Sequence, residues 1–476
     1  MQVSIVKKSN IVSDFRIDAE LYQPHYFEIE KTLKLLIHTN IGEEVSVFKK
    51  GIFDINAECY SARGIPFVRI SNLKNMIIDE SGIVFIPEEE NKKYLNTLLQ
   101  KNDIILSKTA YPAASLVTLD LCNTSQDTIA IKLKSSSRIN SHFFVVFMNS
   151  KYGLPQMRRW FTGNIQMHLN LKDSRQIIIP VLSNDFQNNI KKVFFYSVHI
   201  LKNAHQVLKK TEHILLSELG LTNWRPKHRL SFVKNYSNVQ QTERIDAEYF
   251  QPKYDEIVDA IKTYKGGWDT LGNLVKIKKS IEPGSDAYQE SGVPFVRVSN
   301  LSKHEITNNN QKYISEELYQ DLIKYQPKQN EILLSKDATP GIAFHLKEKP
   351  DRMIPSGGLL RLTVRNRERS SEEYLTLVLN STLVQQQILR DAGGSIIKHW
   401  RLDQVKNTLI PILGKEKQKE IKSKIEDSFD CRKKSKQLLE IAKQGVEMAI
   451  EQDEAMAKEW IQMQIQNLDI NLNDEE

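Results

Sequence analysis

Cysteine is scarce and scattered: Cys59, Cys122 and Cys431 are the only three in a chain of 476 residues. Their spacing gives neither a CxxC metal site nor the close, even set of a disulfide framework, so a reducing cytoplasm is the expected compartment. Long apolar runs are missing too. The most apolar stretch, residues 143–148, is far too short to cross a bilayer, and Lys7 and Lys8 precede no apolar export segment. No membrane partner is expected. Catalytic motifs are equally thin: there is no GxxxxGK[ST] phosphate loop, no glycine-rich turn for a dinucleotide or adenosyl cofactor, no HExxH, and no Asn/Asp-Pro-Pro-aromatic tetrapeptide. Pro350-Asp351 begins a nuclease-like pattern but lacks the acidic-x-Lys element that completes one.

Charge of one sign is not extreme. The 66 basic and 59 acidic residues leave a net +7, and a pI near 8.9 permits a polyanionic partner without requiring one. The acids gather at one end, where eight follow from Glu451 onward against Lys458 alone. The remainder of the chain is correspondingly more basic.

What the sequence has is itself, twice. Residues 64–73, GIPFVRISNL, return at 292–301 as GVPFVRVSNL. The same offset of 228 pairs RIDAELYQPHYFEI (16–29) with RIDAEYFQPKYDEI (244–257) and IILSKTA (104–110) with ILLSKDA (332–338). Farther on the offset becomes 231, pairing Gly163 with Gly394, His168 with His399, and Pro180 with Pro411. A period this long means two whole domains, each with a core, and not a solenoid.

The first copy opens with a short amphipathic segment around Ala19–Leu36, helical after Pro24. Short alternating or β-branched runs follow at 45–48, 66–70, 82–86, 103–106 and 128–133, between Gly, Pro and Asn punctuation, and predict a small curved β-domain. Residues 142–148 are strand-like in composition. Their counterpart 373–379 (EYLTLVL) is helical in character, so both are assigned as helices. Then Phe186, Val193, Ile200, Val207 and Ile214 recur every seven residues, flanked by Ile190, Ala204 and the row Phe194, Leu201, Leu208, Leu215, which predicts a long helix with a coiled-coil seam. In the second copy Ile421, Ile425, Leu439, Ala442, Val446 and Ala449 give an equivalent helix, interrupted by Ser428, Arg432 and Ser435. Helices of roughly 35 residues run about 50 Å. Each could fold onto its own domain, but antiparallel packing on each other covers both apolar stripes more economically. The expected architecture is α+β: two tandem β-rich domains, each followed by a long helix, the helices forming an antiparallel coiled coil. The expected segments are 1–180, 181–243, 244–411 and 412–476, the last a distal helix with an acidic tail.

The paired RIDAE-x-x-QP-x-Y segments, PFVR-x-SNL strands, NDIILSK and NEILLSK turns, Ile-Pro at 179–180 and 410–411, and a helix after each, taken in this order, resemble the specificity subunit of Type I restriction–modification enzymes. The resemblance covers nearly the whole chain, although the acidic tail is not part of the pattern. It implies a noncatalytic subunit whose two target-recognition domains each read one half of a bipartite duplex DNA site. Methyltransferase subunits and motor-nuclease (restriction) subunits would dock on it, and S-adenosylmethionine, ATP and Mg would be bound by those partners rather than by this chain. Two other readings stay open: a nuclease or methyltransferase with an unrecognised site, and a two-headed protein-binding scaffold.

The repeat sorts the candidate DNA contacts. Residues identical in both copies cannot distinguish two half-sites, so they are scaffold or phosphate ligands. Arg69 and Arg297, on strands where Phe67, Arg69 and Ser71 would share a face, and Lys108 and Lys336, after an apolar strand end, are the phosphate candidates, with a structural salt bridge as the other role for the arginines. The readers should lie where the copies differ, in loops 53–63, 109–127 and 164–172 against 281–291, 337–355 and 395–403. The third pair offers Gln166, His168 and Asn170 in one copy and Lys398, His399 and Arg401 in the other. Gln and Asn suit adenine edges, Lys and Arg guanine. The histidines could instead form a paired general base, but no carboxylate or nucleophile recurs in sequence beside both.

Overall fold

The computed structural model describes residues 5–6, 17–74, 76–80, 82–163, 167–308, 310–392 and 398–472. The chain forms two compact units, one of residues 1–202 with 431–476, the other of residues 203–430.

In the first unit a 3-10 turn, Ala19–Tyr22, leads into the helix Pro24–Lys34, where Pro24 occupies a position that needs no N–H donor. Two sheets follow. The larger orders Val45–Lys50, Thr128–Leu133, Ile104–Ser107, Ala114–Leu116, Ile77–Ile78 and Leu73–Lys74; the smaller orders Val84–Ile86, Ile65–Val68, Leu121–Thr124 and Leu99–Gln100. Side chains alternate across a strand, and both faces of the larger sheet are covered. Ile104, Leu106, Ile129 and Ile131 enter the main core, while Ile105 and Ala130 join Val68, Leu99 and Cys122 in a second cluster. That two-sided burial is why IILS and TIAI read as continuous apolar runs.

The second unit repeats the plan. Val275–Lys279, Leu359–Val364, Ile332–Ser335 and Ala343–His345 form one sheet, and Lys312–Ile314, Val293–Val296 and Ile354–Pro355 the other. Ile332, Leu334, Leu360 and Leu362 face the main cluster, whereas Leu333 and Leu359 face a smaller one.

The ambiguous segment is helical in both units, as Ser141–Met148 and Glu372–Asn380. Asn140 caps the first by accepting the Phe143 N–H, and Ser371 caps the second by accepting the Tyr374 N–H. Every residue from His142 to Met148 is buried, so packing on all sides overrides the strand preference of Phe and Val.

One strand is shorter than expected. It stops at Val68, and Arg69 caps a 3-10 turn, Ile70–Asn72, so Ser71 does not continue the face of Phe67 and Arg69. The cause is the asparagine: Asn72 Oδ1 accepts the Arg69 N–H (3.0 Å) and Asn72 Nδ2 donates to Asp79 O, offering the backbone an alternative to the ladder. Arg297 and Asn300 repeat the arrangement, with Nδ2 donating to Thr307 O.

The long helices are Asn184–Glu218 and Lys415–Glu451, of 35 and 37 residues, and they pair antiparallel within each unit. In the first unit Ile190 lies near Gly445, and Ser197 Oγ donates to Ser435 O (3.0 Å). In the second, Ser428 Oγ donates to Ala204 O (3.0 Å), and Glu218 pairs with Lys417 at 3.7 Å. Phe186 and Val193 of the expected row are fully buried in the first unit's main core, but farther along, where the helices meet closely, that row is not the seam. Ile200, Val207 and Ile214 are only half-buried, whereas Ser197 in the first unit and Ala204 and Thr211 in the second are fully buried. Small residues let the two backbones approach, and the larger apolar side chains flank the contact. Ser428 and Ser435, read from sequence as interruptions, are the seam itself.

The acidic segment after Glu451 folds as a further helix, Glu454–Gln466, that places Ala457, Ile461 and Ile465 in the first unit's main core. Asp453 caps it, Glu454 accepts the Ser183 N–H at 2.9 Å, and Lys458 pairs with Asp185. Gly445 makes room: a Cβ there would come within 2.4 Å of Ile461 Cδ1.

Candidate nucleic-acid interface

In both units the shared lysine is a backbone junction. The Lys108 N–H donates to Asp127 O (2.8 Å) and the Lys108 carbonyl accepts the Leu169 N–H (2.7 Å). Lys336 does the same with Gly358 O (2.9 Å) and the Trp400 N–H (2.8 Å). One side of the junction holds the sheet, and the other holds the segment carrying the expected base readers. The next residue extends the connection: Thr109 bridges to His168, and Asp337–Ala338 pairs as a two-residue strand with Lys398–His399. The fold therefore brings Lys108 to His168 and Lys336 to His399.

The turn after each lysine is strained alike. Ala110 and Ala338 have φ of 61° and 59°, a left-handed conformation that costs a residue with a Cβ about 1 kcal/mol or more. Ser107 Oγ accepts the Ala113 N–H (2.8 Å) and Ser335 Oγ the Ile342 N–H (2.9 Å), fastening the far side of the loop. The arginine turn lies alongside. Tyr111 Oη donates to Ile70 O (3.0 Å) in the first unit; in the second, a Cβ added to Gly358 would meet both Val298 and Asp337.

Electrostatically the two junctions differ. Burial and the nearby Lys50 push the Lys108 amine below its ordinary value, with Asp127 acting in the opposite sense. No carboxylate among the described residues forms an ion pair with it. Lys336 is paired with Asp337 Oδ2, and the other oxygen of that carboxylate receives His399 Nδ1 at 2.8 Å. His168 is half-buried, and its Nδ1 is buried with no hydrogen-bond partner among the described residues.

The arginines are partly spent on structure. Arg69 Nη2 donates to Gly82 O (2.9 Å) with its guanidinium 5.7 Å from the Tyr60 ring centre, and Arg297 Nη2 donates to Asn310 O. Backbone carbonyls take the place of the salt-bridge partner that sequence offered as the other role. Asn170, expected to read adenine, has its Oδ1 accepting the Lys172 N–H (2.9 Å) and the Asp173 N–H (3.3 Å), which commits that acceptor to its own turn. Arg401 caps the helix Leu402–Asn407, and its Nη2 lies 3.3 Å from Asp403. Lys398 and His399 are exposed. Gln166 and Gly394 fall outside the described residues. Thr109 and Asp337 were not singled out from sequence, although each opens the differing loop directly after the shared lysine, and that was the available signal.

The family model of the Type I restriction modification DNA specificity domain matches residues 265–443. A search of curated proteins finds no match. Among solved structures, the chain is similar to a Type I restriction–modification S subunit from M. genitalium at 11% identity, covering 90% of this chain and 95% of that one, with a TM-score of 0.31. It is similar to the HsdS subunit from Thermoanaerobacter tengcongensis at 15% identity, over 90% and 95% of the two chains, with a TM-score of 0.26. A third likeness, at 14% identity over 90% and 96% with a TM-score of 0.27, is to a chain from a structure of type I R-M complex assembly and conformational transition.

Proposed function

We propose that the chain, whose residues 265–443 match the Type I restriction modification DNA specificity domain, is a specificity subunit of that family and that each of its two units reads one half of a bipartite duplex site. The family is one of DNA recognition and not of catalysis. The observation that carries the two-reader assignment is the repeated junction: in each unit a shared lysine holds, through its own backbone, a segment whose side chains differ between copies. Shared groups suit phosphate and differing groups suit base edges. Lys108 and the outward sides of Arg69 and Arg297 serve the first role, while Lys336, the second unit's phosphate candidate, is held by the Asp337 carboxylate. His168, Lys398, His399 and Arg401 serve the second, with Gln166.

Methylation and cleavage belong, in this reading, to partner methyltransferase and motor subunits, which bind the S-adenosylmethionine, ATP and Mg those reactions need. The assembly works on cytoplasmic DNA; among the described residues no helix is long and apolar enough to cross a membrane.

Exchange of residues 395–403 for 164–172 tests the assignment. Selection from a randomised duplex library should show altered bases in the second half-site only, with each lost contact worth about 1–3 kcal/mol. A folded exchange protein that selects the parental bases would show that this segment is not the reader.

A further inference from the structure

We infer that Asp337 is a specificity-setting positioning residue of the second unit, because one carboxylate there holds the phosphate candidate Lys336 and the base-reading candidate His399 at once. This rests on the DNA-reading assignment above. Its Oδ2 takes the Lys336 ammonium and its Oδ1 takes His399 Nδ1, while its backbone pairs with the His399 strand.

Two consequences follow from the chemistry. With Nδ1–H donating to the carboxylate, a neutral His399 ring presents the lone pair of Nε2. His399 is exposed on a two-residue strand, so that lone pair is offered outward as an acceptor. In the major groove it matches an exocyclic amino group, adenine N6 or cytosine N4, and rejects guanine and thymine acceptors. Meanwhile Lys336, neutralised by Asp337, adds little counterion release on binding DNA.

The first unit has the opposite arrangement. Thr109 stands where Asp337 does and pairs in backbone with His168, but a hydroxyl cannot neutralise Lys108 and does not engage His168 Nδ1, which lacks a partner among the described residues. The two junctions share a backbone arrangement, and the position directly after the shared lysine, Thr109 in one and Asp337 in the other, separates a charged clamp from a tautomer-fixing one.

Three variants of the full chain, assayed together with the proposed methyltransferase partner, separate these roles. Asp337→Thr should lose the preference for an amino-bearing base at one second-half-site position, by roughly 10-fold, and its plot of log affinity against log salt should steepen by about one as Lys336 becomes available to phosphate. Asp337→Asn keeps an oxygen for Nδ1 while removing the charge, so it should steepen the slope by about one yet retain the base preference. Thr109→Asp should shallow the slope by about one through the first unit and leave the second half-site alone. If the parent complex selects no sequence, the DNA-reading assignment fails and this inference with it. A parent that selects a bipartite site, with Asp337→Thr and Asp337→Asn giving the parental slope and the parental second half-site, overturns the role of Asp337 alone.

Discussion

His142 shows how far one side chain can depart from what its copy does. It is buried against Phe194, edge-on at 5.5 Å between ring centres, and burial, reinforced by Lys191, holds its pKa down to about 4. Its counterpart in the second unit is Glu373, beside His345 at 3.8 Å. A folded-state pKa below the unfolded value of 6.5 means the unfolded chain takes up the proton first on acidification. Stability from the neutral ring is therefore complete above about pH 6.5 and lost as pH falls toward about 4, roughly 3 kcal/mol in all. Urea denaturation at pH 7.5 and pH 5 should show His142→Phe losing less stability between the two pH values than the parent; equal losses would remove His142 as the cause. Sequence could align His142 with Glu373, but it could not say that one stands alone against a ring and the other faces a histidine, because those partners come from distant segments. Asn72 was legible as a turn former from its chemistry. The carbonyl bound by Arg69 was not, since the arginine carries no mark of which loop will fold back beside it.

At the scale of elements, the strands and helices were largely legible because burial periodicity is a local property, and the exceptions are contacts between elements. The central helix offers several parallel rows at seven-residue spacing, and which one becomes the seam depends on the partner helix. The distal helix brings Ser428 and Ser435 to the contact, so the seam is Ser197 in one unit and Ala204 with Thr211 in the other, instead of the bulkier Ile200 and Val207. Ser197→Leu should thus destabilise by about 1–3 kcal/mol through overpacking, despite improving the heptad on paper. Ser197→Ala, which loses the hydrogen bonds to Ser435 O and Ser435 Oγ and no volume to speak of, should cost about 1–3 kcal/mol. Guanidinium midpoints of the two variants decide the matter, and a leucine variant as stable as the parent would contradict the close approach.

At the scale of the molecule, the repeat was legible in the sequence, and each long helix contributes residues to both compact units, with the divisions at 202/203 and 430/431. Both helices therefore belong to the arrangement of the two readers that we propose, and matched insertions of seven residues in each, adding about 10 Å of helix, should change the spacer tolerated between half-sites while preserving the half-sites themselves. Library selection with the spacer length left free measures this. An unaltered spacer optimum in a folded insertion protein would rule out the helices as the element that sets it.

The composition of the first unit, drawn from residues 1–202 and 431–476, also bears on how the polypeptide emerges from a ribosome. Domains generally fold as units during synthesis. The second unit is one uninterrupted stretch, so all of its core is available once residue 430 has cleared the exit tunnel. The first unit waits for Leu438, Leu439, Ala442 and Val446, and then for Ile461 and Ile465 near the end of the chain. Its early residues must remain without part of their apolar cover throughout translation of the second unit, and premature termination beyond residue 430 spares the later-made unit while leaving the earlier one unfinished. The half that is synthesised first is completed last.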